Sequence, residues 1–327
     1  RLELETRGHR FETHCDTEVV LKAFLEWDTN SFQRLRGMFA IALWQESKRR
    51  LVLARDRMGI KPLYLYHRGR DLYFGSELKT ILEHPEIPRK LDLNGISYFL
   101  SLNYVPAPYT LIEGLEKLLP GEFLDWRDGQ MYRAPYWMLR FAPDERIGLD
   151  EAKEELDGLL QRSVKEHLIS DVPLGVWASG GLDSSAVLHY AAQHVPKLNT
   201  FSISFSGHGH DESAFFRAVA AQYGTEHREF DLNPEQNLVS AIEQLSYYSD
   251  EPSADAGALP VFFLSKMTRQ YVTVALSGDG PDELFGGYLT YLADGYAATA
   301  RKTPDVLRKL ALMAARLLPV SEEKISL

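Results

Sequence analysis

The sequence predicts two successive folds, an α+β region built on antiparallel hairpins and then an α/β region with a doubly wound parallel sheet. In the first region, pairs of apolar segments flank short polar turns, which is typical of hairpins. In the second, strand-like runs alternate with amphipathic helices, which is typical of a parallel sheet. The periodicity is lost between residues 135 and 147. We therefore place a boundary there and predict domains of residues 1–145 and 146–327.

Apolar periodicity locates the elements of the first region. Asp16 is a candidate N-cap for a helix over residues 17–27, and a short helix over residues 32–36 follows. The later elements are two hairpins, two short helices and a last strand: 38–44 with 50–56, 62–67 with 71–76, 77–82, 93–101 and 121–126. The charged residues 55–57 directly follow a strand, where such side chains either shape a turn or bind a ligand.

The second region repeats a strand and a helix. The predicted helices are 151–170, 184–194, 211–224, 234–247 and 259–269, and the predicted strands are 172–178, 199–205, 224–232 and 271–277. Ligands of such a sheet bind at the carboxyl ends of its strands. The loops that follow the strands are therefore the places to look for chemistry.

The loop after the first of these strands has the composition of a phosphate-binding turn. The strand stops at Ser179, Gly180 and Gly181, and the next helix starts after Asp183 with Ser184. Adjacent glycines allow backbone N–H groups to approach a ligand, and a helix N-terminus favours negative charge. A carboxylate can hold a magnesium ion that neutralises phosphate. The alternative is a glycine turn whose polar residues only cap the helix.

The loop over residues 277–288 again combines glycines with carboxylates after a strand. Because parallel strands end at one edge of a sheet, Asp282 is expected to face Asp183 across one crevice. Two carboxylates, one Mg²⁺ and a pyrophosphate would form a consistent site. On its own, the loop could equally be a solvated acidic turn. The Walker pattern of nucleoside triphosphatases does not occur in the sequence.

Composition limits the partners. Lys and Arg number 36 against 46 Asp and Glu, which gives a net charge of −10 and disfavours a nucleic-acid surface. Cys15 is the only cysteine, so a disulfide within the chain is excluded and a reducing cytosol is favoured. No apolar run reaches membrane-spanning length. We expect a cytoplasmic location with no nucleic-acid or membrane partner.

Several motifs give the sequence a specific resemblance. SGGLDSS at 179–185, TFSISF at 200–205, DEPSADAGALP at 250–260 and LSGDGPDELFGGY at 276–288 resemble the synthetase domain of glutamine-hydrolysing asparagine synthetases. The first of these is similar to the pyrophosphate loop of ATP-pyrophosphatase enzymes. CDTE at 15–18, LVLARDRMGIKPLY at 51–64 and FGSELK at 74–79 resemble the second half of the family's glutaminase domain. The resemblance implies a partial N-terminal-nucleophile-type α+β domain followed by an α/β ATP-pyrophosphatase-type domain.

The resemblance also implies residue roles. It assigns the pyrophosphate of ATP to Ser179, Gly180, Gly181, Asp183 and Ser184, and Mg²⁺ to Asp183 and Asp282. It assigns the adenosine pocket to Trp177, Ile203, Ser277 and Gly278, with the backbone mattering more than the side chain at Trp177. Asp279 matches an acidic residue near the acyl-adenylate, which makes it the candidate catalytic residue. Asp16 matches the aspartate that holds the α-amino group of glutamine, a role that can coexist with helix capping.

The implied reaction is ATP-dependent amidation of a carboxylate through an acyl-adenylate, with AMP and pyrophosphate released. The expected acceptor is aspartate, and glutamine is the expected nitrogen donor. Ala256 and Gly257 replace serines common in relatives, which leaves the acceptor open. The alternatives are an enzyme that amidates a cell-surface sugar or peptide, a β-lactam-synthetase-like enzyme, or a non-catalytic adenine-nucleotide-binding module.

The family's nucleophilic N-terminal cysteine and its later catalytic lysine have no counterpart in the sequence, and Cys15 does not match the nucleophile. We therefore expect the chain to be part of a longer protein. A homodimer is the assembly that we consider for it.

Overall fold

A computed structural model of the chain describes residues 1–204, 212–232, 238–255 and 257–315. Several positions named in the sequence analysis lie outside the described residues. They are Phe205 of the second predicted strand, Asp211 and residues 234–237 of two predicted helices, and Ala256. The chain divides into two compact units. One comprises Arg1–Glu145 with Asn237–Leu259, and the other comprises Arg146–Gln236 with Pro260–Leu327.

Residues 1–145 form two antiparallel sheets with flanking helices. Their elements are α1 (Leu2–Thr6), α2 (Asp16–Trp27), β1 (Ala40–Gln45), β2 (Arg50–Arg55), β3 (Tyr64–Arg68), β4 (Asp71–Gly75), α3 (Leu78–Leu82), α4 (Leu93–Leu102), β5 (Leu115–Lys117), β6 (Glu122–Arg127) and β7 (Gln130–Pro135). One sheet has the order β1-β2-β6-β7 and the other β4-β3-β5. Both predicted hairpins are present, as β1 with β2 and β3 with β4. The predicted helix over residues 32–36 is instead the end of a 3₁₀ helix, Asp28–Arg34.

The charged residues that follow β2 shape a turn. The Asp56 carboxylate is 1% exposed and accepts hydrogen bonds from the backbone N–H groups of Met58, Ile60 and Lys61 at 2.9 to 3.1 Å. The Arg55 guanidinium donates to the carbonyl oxygens of Gly59, Lys61 and Leu118. The sequence left open whether these residues bind a ligand or fold a loop. Arg55 and Asp56 use their polar atoms on the backbone of residues 58–61 and 118, so these two residues fold the loop.

Residues 237–259 belong to the first unit, although the sequence division at residue 145 placed them in the second domain. The Asp250 carboxylate lies 2.9 Å from the Lys79 ammonium. Glu251 forms an ion pair with Lys117 and accepts a hydrogen bond from the N–H of Leu111 at 3.2 Å. These are contacts between residues far apart in sequence, so local periodicity carries no signal for them.

The second unit contains the predicted parallel sheet. The elements after residue 145 are α5 (Leu149–His167), β8 (Leu174–Trp177), α6 (Leu182–Ala192), β9 (Asn199–Ser204), α7 (Ser213–Tyr223), β10 (Glu226–Asp231), α8 (Leu238–Tyr248), α9 (Ala258–Thr268), β11 (Val274–Leu276), α10 (Pro281–Phe285), α11 (Leu289–Arg301) and α12 (Asp305–Ala315). Of these, α8 lies in the first unit. Among the described residues, no helix combines the length and apolar character that crossing a membrane requires.

The strand order of this sheet locates its ligand-binding edge. Its described strands are parallel and run β10-β9-β8-β11. From β8 the chain adds β9 and β10 on one side and later β11 on the other, so the order reverses between β8 and β11. Such a switch point opens a crevice at the carboxyl ends of the two strands. The core beneath it contains Val176 of β8, Leu188 of α6 and Val164 of α5.

A partly buried histidine on β10 makes the stability of this unit depend on pH. The Nδ1 atom of His227 lies 3.0 Å from the Thr200 hydroxyl oxygen. The ring centroids of His227 and Phe216 are 5.4 Å apart. Burial lowers the pKa of His227 below its ordinary value, and Arg217 lowers it further, whereas Glu229 acts in the opposite direction. The unfolded chain therefore takes up this proton at a higher pH than the folded chain does.

We predict that the free energy of unfolding falls as the pH drops below about 6.5, because His227 is protonated to a greater extent in the unfolded state than in the folded state. His227→Gln should remove this part of the slope, which is at most about 1.4 kcal/mol per pH unit. Urea unfolding from about pH 7.5 to about pH 5 measures it. The exposed His194→Gln variant is the control and should keep the parent slope. Equal slopes in the parent and in His227→Gln would contradict this role.

Candidate active site

A cavity of about 350 Å³ lies at the carboxyl ends of β8 and β11. All of its lining residues belong to the second unit. Residues of the two predicted loops contribute Ser179, Gly181, Asp183, Ser184, Ser277, Gly278 and Asp279. Trp177 and Ile203, at and near the ends of two strands, also line it. The structure thus gathers most of the sequence-predicted nucleotide residues around one cavity.

The turn after β8 requires glycine at position 180. Gly180 has a φ of +82°, and a Cβ there would lie 2.6 Å from the backbone nitrogen of Phe216. Gly180 therefore shapes the loop without being part of the cavity lining. Gly181 is the N-cap residue of α6 and has ordinary backbone angles. The glycine pair thus leads the chain from β8 directly to the helix N-terminus that borders the cavity.

Serine hydroxyls hold this loop closed. Ser184 is 5% exposed, and its hydroxyl lies 2.8 Å from that of Ser179. The Ser184 hydroxyl also accepts a hydrogen bond from the N–H of Ser179 at 3.2 Å. The Ser179 hydroxyl in turn accepts one from the N–H of Gly181, also at 3.2 Å. Both hydroxyls are therefore used within the loop, which fixes the direction of its backbone N–H groups.

The loop after β11 packs directly on the start of α6. A Cβ on Gly278 would lie 2.6 Å from the backbone nitrogen of Ser184 and 3.0 Å from the carbonyl carbon of Asp183. Only glycine permits this approach. Beside it, the Ser277 hydroxyl donates a 2.7 Å hydrogen bond to the carboxylate of Asp279. The two loops thus meet through backbone, and each contributes a carboxylate to the cavity.

The cavity is acidic. Asp183, Asp279 and Glu212 line it, and among the described residues no Lys, Arg or His does. A polyphosphate would meet repulsion here unless a cation came with it, and carboxylate oxygens are suitable ligands for Mg²⁺. Within the described part of the chain, no group of three or more His, Cys, Asp and Glu could hold a metal ion. A magnesium ion would therefore complete its shell with phosphate oxygens and water.

Asp282, the second predicted metal ligand, lies in α10 and is not part of the cavity lining. A Cβ on Gly287 would lie 1.8 Å from the Oδ1 atom of Asp282, so this carboxylate rests against the glycine. The main-chain oxygen of Asp282 accepts a hydrogen bond from Gly287 N–H at 3.0 Å. Asp282 and Gly287 thus form a compact turn beyond the cavity.

The sequence did not single out the apolar wall of the cavity or one of its acids. Phe216 of α7 and three residues of α9, namely Pro260, Val261 and Leu264, line the cavity, as does Glu212. The positions 260, 261 and 264 fall on one face of a helix, which is a signal that the sequence contains. What the sequence lacks is any indication that this face turns toward the loops and not toward the core.

Asp16 lies in the first unit, where it lines a separate cavity of about 860 Å³. The predicted capping role of Asp16 is wrong, because Cys15 is the N-cap residue and no side chain caps α2. Glu18 instead orders the preceding loop, by accepting hydrogen bonds from the N–H groups of Glu12 and Thr13 and from the Thr13 hydroxyl. These bonds lower the pKa of Glu18 to about 2, and the bond from the Thr13 hydroxyl contributes most. The Asp16 carboxylate is exposed.

Family comparisons agree with this arrangement. Residues 155–323 match the family model for asparagine synthase, and residues 1–137 match a glutamine amidotransferase domain. The chain belongs to the asparagine synthase family. Both family matches extend over regions that hold a cavity, with Asp16 in the first and the two loops in the second.

Several curated relatives are similar to most of the chain. It is 35% identical over 320 residues to asparagine synthetase [glutamine-hydrolyzing] 1 of Bacillus subtilis, and the aligned region covers 98% of this chain and 50% of that protein. It is 37% identical over 306 residues to putative asparagine synthetase [glutamine-hydrolyzing] 2 of Methanocaldococcus jannaschii, and the aligned region covers 91% of this chain and 58% of that protein. The amidase chry2 of Gibberella zeae is 30% identical over 320 residues, covering 91% and 47%. The chain spans about half the length of the curated relatives it matches.

We predict that Gly278→Ala destabilises the protein by about 1 to 3 kcal/mol, because its Cβ meets the backbone of α6 and one of the two loops must move. Chemical denaturation measures the change. Gly158→Ala is the matched control, since its Cβ approaches only the flexible Arg162 side chain, at 3.4 Å. That variant lies inside α5 and should be stabilised by up to about 1 kcal/mol. Equal stability of Gly278→Ala and the parent would contradict the close approach of the loops.

Proposed function

We propose that the chain is part of an ATP-dependent ligase that amidates a carboxylate, with aspartate as acceptor, asparagine as product and glutamine as nitrogen donor. The observation that carries this is the pair of glycine loops meeting at the switch point of the parallel sheet, around an acidic cavity. Membership of the asparagine synthase family supports it. The division of labour is adenylation in the second unit and glutamine hydrolysis in an N-terminal-nucleophile-type first unit.

The first loop binds the pyrophosphate part of ATP in this proposal. Ser179, Gly180, Gly181, Asp183 and Ser184 form the cradle, in which backbone N–H groups at the start of α6 face the phosphate. The serine hydroxyls maintain the shape of the cradle through their mutual hydrogen bonds. The adenosine part lies against Trp177, Ile203, Ser277 and Gly278.

Mg²⁺ bound through Asp183, with Asp282 as the second carboxylate, would neutralise the charge that develops on the departing pyrophosphate. The acidic lining of the cavity supports this requirement, since the described side chains around it offer no positive charge. Asp282 lies outside the lining of this cavity, and its carboxylate would be the second protein group that holds the ion.

The reaction divides into two displacements. An oxygen of the acceptor carboxylate attacks the α-phosphorus of ATP, the bond to pyrophosphate breaks, and an acyl-adenylate forms. Ammonia then attacks the acyl carbon, AMP leaves and an amide remains. In this proposal, Asp279 accepts the proton that the attacking ammonia loses, and the hydrogen bond from the Ser277 hydroxyl orients its carboxylate.

Glutamine supplies the ammonia in this proposal, and Asp16 holds its α-amino group. The exposed Asp16 carboxylate at the wall of the 860 Å³ cavity supports this role, because it stands at the start of α2 without making a capping hydrogen bond to the helix. Glu18 orders the loop before Asp16 and thereby limits the positions that Asp16 can take.

A second candidate keeps the chemistry and changes the acceptor. One relative at 30% identity is named an amidase and not an asparagine synthetase. In this alternative, the protein amidates a carboxylate on another small molecule, sugar or peptide. The nucleotide cavity would be the same, and only the substrate that triggers AMP formation would differ.

The deciding experiment measures AMP and pyrophosphate released by the full-length protein from Mg·ATP and ammonia, with and without aspartate. We expect release that depends on aspartate and yields asparagine. Asp183→Asn should reduce it about 100-fold or more, because the pyrophosphate charge loses its metal. Asp171→Asn, an exposed position outside the cavity, is the control and should retain activity. Release that ignores aspartate but responds to another carboxylate would replace the asparagine assignment with the alternative.

We further predict that Asp16→Asn raises the KM for glutamine about tenfold or more, because a charged hydrogen bond to the α-amino group is lost. Activity with ammonia should be unchanged, since Asp16 takes no part in adenylation. Steady-state kinetics with each nitrogen source measure the split. Asp128→Asn is the matched control, because Asp128 is exposed and has a φ of +48°, which asparagine tolerates. An equal effect of Asp16→Asn on both nitrogen sources would exclude a glutamine-specific role.

A further inference from the structure

A single hydrogen bond joins two walls of the nucleotide cavity. The indole N–H of Trp177, at the end of β8, donates to the hydroxyl of Thr268 at 3.2 Å. Thr268 is the last residue of α9 and is 3% exposed. Trp177 lines the cavity, and so do three residues nearer the start of α9. The bond therefore ties the indole of a residue that lines the cavity to a helix that also borders the cavity.

Two parts of the lining differ in chemistry. The loops contribute hydroxyls, glycines and carboxylates, whereas α9 contributes Pro260, Val261 and Leu264. An indole N–H can only donate, and the side chains of these three residues offer it no acceptor. Without Thr268, a buried N–H would stay unsatisfied or the ring would turn away. Thr268 thus sets the orientation of the Trp177 ring before any ligand arrives.

We propose that the indole face of Trp177 packs against the base of the nucleotide, and that Thr268 is the positioning residue that holds the ring in place. This role rests on the ATP site proposed above and extends it from the backbone of Trp177 to its side chain. Aromatic rings stack on planar bases, and a ring that is already ordered loses little entropy on binding. The serine and glycine loop would bind the phosphates, and Trp177 would bind the base.

Calorimetric titration of the full-length protein tests this with two ligands, ATP and inorganic tripolyphosphate, each with Mg²⁺ and without acceptor. Tripolyphosphate carries the phosphate chain but no base. Thr268→Val keeps the shape of the buried side chain and removes its hydroxyl. It should weaken ATP binding about fivefold and leave tripolyphosphate binding unchanged. Thr268→Ser restores the hydroxyl and should bind ATP within about twofold of the parent.

Thr200→Val is the control for a general loss of packing. Thr200 is also fully buried in the second unit, and its hydroxyl lies within hydrogen-bond distance of Thr225 and His227. It does not line the cavity. Thermal unfolding should show that this variant is destabilised, while its affinity for ATP stays that of the parent.

Three results would overturn the role of Thr268 while leaving the ATP site intact. These are parent-like ATP binding by Thr268→Val, an equal loss of tripolyphosphate and ATP affinity, and an equal loss of ATP affinity in Thr200→Val. The serine rescue and the Thr200 control decide the matter even where tripolyphosphate binds too weakly to measure. Failure of the parent protein to bind Mg·ATP would instead overturn both this role and the proposed function.

Discussion

The approach of Gly278 to the backbone of Ser184 is the constraint on which the candidate active site depends. Because a Cβ there would lie 2.6 Å from a backbone nitrogen, the loop after β11 can reach the first turn of α6 only as glycine. The strand order makes this approach possible, since β8 and β11 are parallel neighbours whose carboxyl ends meet at one edge of the sheet. Asp183 and Asp279 come to one cavity as a consequence of this backbone contact, and no ion pair is needed to bring them together.

The same contact determines the negative charge of the cavity lining. Packing two acidic loops against each other concentrates negative charge, and around the cavity the described side chains include no cation. The loop hydroxyls are already paired, Ser179 with Ser184, and Ser277 with Asp279. An anionic ligand therefore depends on backbone N–H groups and on a cation that it brings with it. Under the proposed function, a magnesium nucleotide would therefore suit the cavity better than a free phosphate.

Much of the local structure follows from the sequence, because hairpins and amphipathic helices repeat a signal over several residues. The hairpin of β1 and β2 and the succession from α5 to β11 are of this kind. β5 is three residues long and β7 ends in a proline, so neither shows a clear alternation. The predicted capping role of Asp16 was wrong because two acidic residues, Asp16 and Glu18, lie near the start of one helix. Their spacing does not indicate which carboxylate accepts hydrogen bonds from the preceding loop.

The parts of the site that sequence reasoning missed are tertiary in origin. That α9 turns an apolar face toward the loops, and that Thr268 receives the Trp177 N–H, depends on the packing of elements distant in sequence. Residues 237–259 join the first unit for the same reason, through the contacts of Asp250 and Glu251. The parallel sheet and the two loops that line its cavity could be predicted, whereas the partners of individual side chains could not.

Under the proposed function, the difference between backbone contacts and side-chain contacts bears on the choice of acceptor. The two loops are fixed by the sheet and by glycine contacts that tolerate little change. The segment that contains Gly257 is built differently, since Asp250 and Glu251 hold it by side-chain ion pairs and Gly257 N–H donates to the Asp255 carboxylate at 2.8 Å. Side-chain contacts of this kind change by single substitutions without disturbing the sheet. Under the proposed function, acceptor specificity can therefore change in this segment without altering the two loops of the parallel sheet.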